Sequence, residues 1–215
     1  DWSSDVCSSD LFILGMYKGA VAVAVYAVAI QLQGIYMSFS TAISGVFLPK
    51  VTAMVAKENN EKAISDLFIR MGRIQYAIMA FILTGFILFG KVFIYFWAGS
   101  DYDEAYYIAL LFFIPLTIPL IQNLGIIILQ ARNQMRFRCV LYVVIAFVSL
   151  GISIPLARLY GGIGCALGTV FALVVGQIIA MNIYYHRRIH IDIVRFWKEI
   201  FRMSLVPILL GGVGY

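Results

Sequence analysis

Residues 20–48 read AVAVAVYAVAIQLQGIYMSFSTAISGVFL and contain no charged side chain. An α-helix rises ~1.5 Å per residue, so ~20 apolar residues are enough to cross the ~30 Å hydrocarbon core of a bilayer. This stretch is longer than that, and it predicts a transmembrane helix.

Further apolar stretches follow at 74–98, 105–130, 139–157, 163–184 and 203–215. The complete ones are each about 20 residues or longer. Hydrophobic residues make up 62% of the chain, and the mean hydropathy is +0.92. We therefore expect an all-α polytopic membrane protein with about six transmembrane helices.

The basic residues favour one orientation. Segments 49–73, 131–138 and 185–202 carry 13 of the 16 Lys and Arg residues. The loops between them hold Arg158 and the acidic turn 101–104. The positive-inside rule assigns the basic side to the cytoplasm. This topology accounts for the basic pI, so we expect no nucleic-acid partner.

The first eleven residues, DWSSDVCSSDL, equal the translation of a common short-read sequencing adapter. Such segments are excluded from fold reasoning. We expect 1–11 to be an adapter-derived artefact, with 12–215 a C-terminal transmembrane lobe fragment that begins in a partial span at 12–18.

No pattern in the chain indicates covalent chemistry. Cys139 and Cys165 have no CxxC partner, and His186 and His190 have only Asp192 nearby as a further ligand. No nucleophile, phosphate-loop or zinc-protease motif occurs. We expect no catalytic residue, no metal site and no cofactor, and the protein is not predicted to be an enzyme.

The helix at 20–48 sorts its residues by polarity. At 100° per residue, one half of the wheel holds Gln31, Gln33, Gly34, Met37, Ser38, Ser40, Thr41, Ser44 and Gly45. Small residues also serve helix packing, whereas glutamines at membrane depth need partners or water. Both a packed interface and a wet cavity stay open; for a cavity, the candidates are Gln31, Gln33, Ser38, Ser40 and Thr41.

The stretch 105–130 contains Pro115 and Pro119, followed directly by Gln122 and Asn123. Proline removes a backbone donor and kinks a helix. We expect the prolines to act as a hinge, with Gln122 and Asn123 beside a substrate path; a kink that only shapes packing is the alternative.

Lys91 lies inside the span 74–98 and either snorkels to the outer interface or faces the cavity as a cation. Gly164 and Gly168 form a GxxxG pattern, which favours close helix packing.

Four stretches together carry a resemblance to a known family. They are FILGMYKGAVAVAVYAVAIQLQ (12–33), LPKVTAMVAKENNEKA (48–63), LQARNQMRFR (129–138) and PLARLYGGIGCALGT (155–169). In order and spacing they resemble the C-terminal half of bacterial oligosaccharide flippases of the Wzx type, within the multidrug/oligosaccharidyl-lipid/polysaccharide exporter superfamily.

The resemblance implies two lobes in an inverted V around a cavity that opens to alternate sides. The implied cargo is an undecaprenyl-diphosphate-linked oligosaccharide, moved from the cytoplasmic to the outer leaflet of the bacterial plasma membrane for cell-surface polysaccharide such as O-antigen of lipopolysaccharide. A sugar pyrophosphate suits cationic groups, so Lys18 and Lys91 join the cavity candidates. Implied partners are membrane lipids, a polysaccharide polymerase and a chain-length regulator.

Two other interpretations remain open. A drug/cation antiporter or lipid II flippase of the same superfamily would share the fold, although an antiporter is expected to carry a membrane-embedded acid. A polytopic polysaccharide polymerase or glycosyltransferase would share the composition, but it is expected to have a large outer loop, and the outer loops here are short.

Overall fold

The computed structural model describes residues 2–57, 61–132, 134–189 and 191–213. Expectations for Asp1, His190 and the end of the last apolar stretch, 214–215, lie outside these residues. The described chain is helical almost throughout and contains no strand.

The helices follow one another with short connections. They are α1 (Trp2–Lys18), α2 (Ala20–Lys57), α3 (Glu61–Trp97), a 3₁₀ turn (Ser100–Tyr102), α4 (Asp103–Ile121), α5 (Asn123–Ala131), α6 (Arg136–Leu173), a π-helical stretch (Val174–Ala180), α7 (Met181–Arg188) and α8 (Ile193–Val213). Gly19, Gly99 and Gly161 each have a positive φ, which a residue without a Cβ adopts at little cost.

Four helical stretches of the described chain are long and apolar enough to cross a membrane: Ala20–Pro49, Lys62–Trp97, Ser100–Ile121 and Arg136–Arg188. The sequence predicted about six. Part of the difference arises because the predicted spans 139–157 and 163–184 both lie in the single stretch Arg136–Arg188, which consists of two helices joined at Gly161. The last predicted span lies in α8, whose first three turns are charged, with Arg195, Lys198, Glu199 and Arg202.

The stretch Arg136–Arg188 folds back on itself at Gly161, where φ is 64° and ψ is −135°. A Cβ on Gly168 would lie 2.8 Å from the backbone of Ser153, and one on Gly176 would overlap Ile145. These pairs define an antiparallel helical hairpin, 136–160 against 162–188. Its close approach rests on a row of small residues four apart: Gly164, Gly168, Ala172 and Gly176.

α4 is the most buried of the four stretches and forms the centre of the bundle. Its side chains pack between α2, α3 and the hairpin; Phe113, for example, stacks on Tyr36 of α2 at 4.4 Å between ring centroids. Helices that contact neighbours on several sides leave little surface for lipid, which explains why α4 is apolar all round.

α8 packs along the first turns of α3. Phe196 lies against Phe68 at 5.0 Å between centroids, and a Cβ on Gly72 would overlap the Phe196 ring. Tyr76 donates a 2.7 Å hydrogen bond to Ser204 one turn further on. The basic segment 49–73 is thus divided between the end of α2 and the start of α3, and α8 covers the α3 part at Phe68 and Gly72.

Candidate functional site

The polar half of α2 divides into two stripes in the structure. The buried stripe contains Gln33, Ser40 and Ser44. The exposed stripe, at intervals of three and four residues, contains Gln31, Gly34, Ser38, Thr41 and Gly45. The sequence left open whether the polar half of α2 is a packed interface or the wall of a wet cavity. In the structure one face of this half is packed against neighbouring helices, and the adjacent face is exposed.

The buried stripe is held by Gln75 of α3. Its amide nitrogen lies 2.7 Å from the Ser40 hydroxyl oxygen and 3.0 Å from the Ser44 hydroxyl oxygen. Ser40 in turn donates a 3.0 Å hydrogen bond to the carbonyl of Leu120 on α4. These polar groups satisfy one another, as burial requires. The arrangement fastens three helices together and leaves Ser40 no opening toward a cavity.

A second buried contact lies about one turn away along α2. Tyr36 and Thr117 share a 2.7 Å hydrogen bond between their hydroxyls, and Thr117 also bonds the Phe113 carbonyl at 2.7 Å. Neither Tyr36, Thr117 nor Gln75 was among the residues predicted from the sequence. Gln75 stands at the start of an apolar span, and a lone polar residue there was the available signal.

The helix containing the two prolines breaks after them. α4 stays helical through Pro115 and Pro119 and ends at Ile121. Gln122 then has φ −98° and ψ 11°, and α5 begins at Asn123, which is half-buried. Because the prolines lack N–H groups, two carbonyls of the preceding turns lose their helical donors. The break lies about one turn beyond Pro119.

The side chain at the break is anchored to the hairpin. Gln122 is buried and donates a 2.9 Å hydrogen bond from its amide nitrogen to Oδ1 of Asn182 on α7. The indole nitrogen of Trp197 on α8 donates to the same oxygen at 3.1 Å, and Asn182 donates to the Ile178 carbonyl at 2.7 Å. Asn182 thus joins the α4–α5 break, α8 and the π-helical stretch. No local sequence pattern marks Asn182 or Trp197, because their role arises from contacts between distant segments.

Gln177 lies within the π-helical stretch and is 8% exposed. Among the described residues its amide has no hydrogen-bond partner. π-helical turns are uncommon and often occur at functional positions. The sequence pattern did not single out Gln177, because it did not predict the π-helical stretch in which this residue lies.

The exposed stripe of α2 presents polar groups away from the described bundle. Ser38 donates to the Gly34 carbonyl at 2.8 Å and Thr41 to the Ser38 carbonyl at 3.0 Å. Their donors are used within the helix, so their oxygen lone pairs remain available to accept hydrogen bonds. Gln31 adds an amide with both donors and an acceptor.

An apolar stripe lies beside the polar one on the exposed surface of α2. It contains Ile35, Phe39 and Val46, exposed to 49%, 47% and 73%. Ile35 and Phe39 also line an apolar groove of about 320 Å³ against α3, together with Gly85, Phe89 and Gly90. α2 therefore faces two different surroundings, one suited to hydrocarbon and one suited to polar groups.

The two candidate lysines lie away from the middle of the polar stripe. Lys18 is the last residue of α1, and its Cε is 3.8 Å from where a Cβ on Gly161 would be, at the hairpin turn. The Lys91 ammonium lies 4.9 Å from the Tyr107 ring centroid and 5.7 Å from that of Tyr106, in the first turn of α4. Cation–π contact accounts for the position of Lys91.

Asp10 is a buried carboxylate in α1. Its Oδ2 accepts 2.6 Å hydrogen bonds from the hydroxyls of Tyr26 and Thr169, whereas Oδ1 has no partner. Because we expect residues 1–11 to derive from an adapter, we assign no role to Asp10.

Comparison with family models, curated proteins and solved structures finds no match to this chain. Among the described residues no group of three or more His, Cys, Asp or Glu side chains is arranged to hold a metal ion.

Proposed function

We propose that this chain is one lobe of a two-lobed, alternating-access transporter in the bacterial plasma membrane. Its cargo is an undecaprenyl-diphosphate-linked oligosaccharide, which it flips from the cytoplasmic to the outer leaflet. The observation that carries the proposal is the exposed polar stripe on α2, Gln31 to Gly45, on a helix long and apolar enough to cross a membrane.

The length of the stripe suits a passage. From Gln31 to Gly45 the helix advances about 21 Å at ~1.5 Å per residue, which is most of a ~30 Å hydrocarbon core. Polar groups at that depth are costly against lipid and are tolerated against water or polar cargo. Hydroxyl and amide groups also match the hydrogen-bonding needs of a sugar chain.

The apolar stripe of α2 supports the same arrangement. Ile35, Phe39 and Val46 suit lipid, or the isoprenoid chain of the cargo. In the proposed transporter the polar stripe faces the cavity between the two lobes. Transporters that work by alternating access commonly contain a broken membrane helix. In the proposed transporter the break at Gln122, between α4 and α5, has this role.

The charge pattern sets the proposed direction. With the basic segments 49–73, 131–138 and 185–202 in the cytoplasm, the cargo's diphosphate first meets the positively charged side. A polysaccharide polymerase and a chain-length regulator are the proposed partners on the outer side.

The decisive experiment compares two glutamines on the same helix. Gln31 is exposed on the stripe, whereas Gln33 is 4% exposed and faces the bundle. In the complete transporter reconstituted in proteoliposomes, Gln31→Leu combined with Thr41→Val is expected to lower flipping of a lipid-linked oligosaccharide at least tenfold without loss of folded protein. Gln33→Leu is the matched change and is expected to act on stability instead.

Two results would contradict the proposal. Wild-type flipping by the Gln31/Thr41 variant would assign the stripe to packing against another helix. Transport of lipid II, or of a cationic drug in exchange for an ion, without transport of lipid-linked oligosaccharide would select the alternative members of the superfamily.

A further inference from the structure

A cavity of about 810 Å³ opens where the two arms of the hairpin end. Its walls come from the residues just before and within the first turn of α6 and from the last turns of α7. The lining residues are Gln134, Met135, Arg136, Phe137, Tyr184 and Arg188.

The two arms fix one wall of this cavity. Phe137 and Tyr184 stack with 4.2 Å between ring centroids and 4° between planes. They lie in the register set by the hairpin, in which Gly168 opposes Ser153. The wall is thus built by the packing of the hairpin and does not depend on a loop.

The cavity carries uncompensated positive charge. None of the described residues that line it is acidic, and within the same part of the chain the guanidiniums of Arg136 and Arg188 have neither an ion pair nor a hydrogen bond. Arg138 and Arg195, by contrast, have partners: Arg138 bonds and stacks on Tyr142, and Arg195 pairs with Asp66 at 2.8 Å. Two arginines that line one cavity without an acid repel each other and are stabilised by an anion.

The geometry favours phosphate as the anion. Arginine binds phosphate oxygens through paired N–H donors. The first turn of α6 adds backbone N–H groups without helical acceptors, where anions bind favourably. Gln134 contributes a side-chain amide at the rim.

The surroundings indicate that the phosphate belongs to a lipid. Arg136 and Arg188 are the first and last residues of one candidate membrane-spanning stretch. Because this stretch folds back at Gly161, both lie at the same end of the hairpin, where Phe137 stacks on Tyr184. Val140 and Val144, one and two turns along α6 from Phe137, are 64% and 51% exposed. An apolar surface therefore extends from the cavity toward the interior of the membrane.

We propose that this cavity binds the phosphate headgroup of an anionic membrane phospholipid, with an acyl chain along Val140 and Val144. The site is separate from the polar stripe of α2 and does not require the proposed transport function.

The test measures lipid retained by the purified full chain. In detergent micelles, native mass spectrometry with added dioleoyl-phosphatidylglycerol counts lipid adducts, and phosphatidylcholine serves as the zwitterionic reference. The variant Arg136→Gln/Arg188→Gln is expected to weaken phosphatidylglycerol binding at least tenfold and to leave phosphatidylcholine binding unchanged.

A matched control removes the same charge elsewhere. Arg187 and Arg202 are exposed and do not line the cavity. Arg187→Gln/Arg202→Gln is expected to change phosphatidylglycerol binding less than twofold. An equal loss in both double variants would overturn the site, because it would show that net charge alone attracts the lipid.

Two further measurements keep the test decisive. If the double variant does not fold, the single variant Arg188→Gln, at the exposed end of α7, is compared with Arg187→Gln. Equal phosphatidylglycerol binding by these two variants would overturn the proposal. Inorganic phosphate at low millimolar concentration is expected not to displace the lipid from the wild type. Displacement would show that the cavity takes a free phosphate without the hydrocarbon part.

Discussion

Gln122 and Asn182 are 60 residues apart in sequence, yet the amide nitrogen of one lies 2.9 Å from the amide oxygen of the other. The bond connects the break between α4 and α5 to the helix that follows the π-helical stretch. The break after Ile121 and the π-helical stretch, which Asn182 also bonds through the Ile178 carbonyl, are thus tied to each other.

Gln122→Leu is expected to reduce the free energy of unfolding by about 1–3 kcal/mol, because it removes the buried Gln122 amide and leaves the half-buried Oδ1 of Asn182 with one partner fewer. Chemical unfolding in detergent micelles measures the change. Gln130→Leu, at the exposed end of α5, is the control and should have little effect. Equal stability of the two variants would show that the bond contributes nothing net.

Gln75→Leu is expected to destabilise the bundle by a similar amount, roughly 1–3 kcal/mol. Gln75 donates to both Ser40 and Ser44 between α2 and α3, and Leu cannot replace those bonds. The matched change is Gln31→Leu on the exposed stripe, whose stability should stay near that of the wild type. If Gln31→Leu proves as damaging as Gln75→Leu in the same unfolding measurement, the assignment of Gln31 to an open surface is wrong.

Gly168→Ala is expected to cost about 1–3 kcal/mol, because the added Cβ would lie 2.8 Å from the Ser153 backbone at the contact between the hairpin arms. Gly151 lies on the first arm with nothing within 4 Å of a Cβ. Gly151→Ala should therefore be neutral or stabilising, since Ala favours a helix over Gly by about 1 kcal/mol. The midpoint temperatures of the two variants should move in opposite directions.

Lys91→Ala is expected to leave lipid-linked oligosaccharide flipping unchanged in the complete transporter and to lower stability by less than about 1 kcal/mol. The reason is the position of its ammonium over Tyr107, at 4.9 Å from the ring centroid. Lys91→Arg retains the cation and serves as the comparison. A folded Lys91→Ala protein that no longer transports would instead place Lys91 in the substrate cavity.

Hydropathy predicted the helical class and the approximate position of the four stretches that are long and apolar enough to cross a membrane, because a helix that crosses lipid needs its length in apolar residues. The spacing of Gly164 and Gly168 predicted close helix packing, and in the structure Gly168 lies against Ser153 between the hairpin arms. The predicted spans 139–157 and 163–184 fall on the two arms of the hairpin, one on each side of Gly161.

The candidate site was only partly predictable. The helical period placed Gln31, Gln33, Ser38, Ser40 and Thr41 in one half of α2, but a period of 3.6 residues cannot tell a surface covered by a neighbour from an open one. That distinction depends on Gln75, which is 35 residues from Ser40 along the chain. Asn182 and Trp197 were missed for the same reason.

The contact between Gln75 and the serines also fixes the azimuth of α2 about its own axis. A smooth apolar interface allows a helix to roll, because one aliphatic side chain substitutes for another in the gap. The Gln75 amide, in contrast, reaches the hydroxyls of Ser40 and Ser44 on consecutive turns only when α2 has one particular rotation about its axis. The direction in which Gln31, Ser38 and Thr41 point is therefore set by the contacts of Gln75 on the opposite side of the helix.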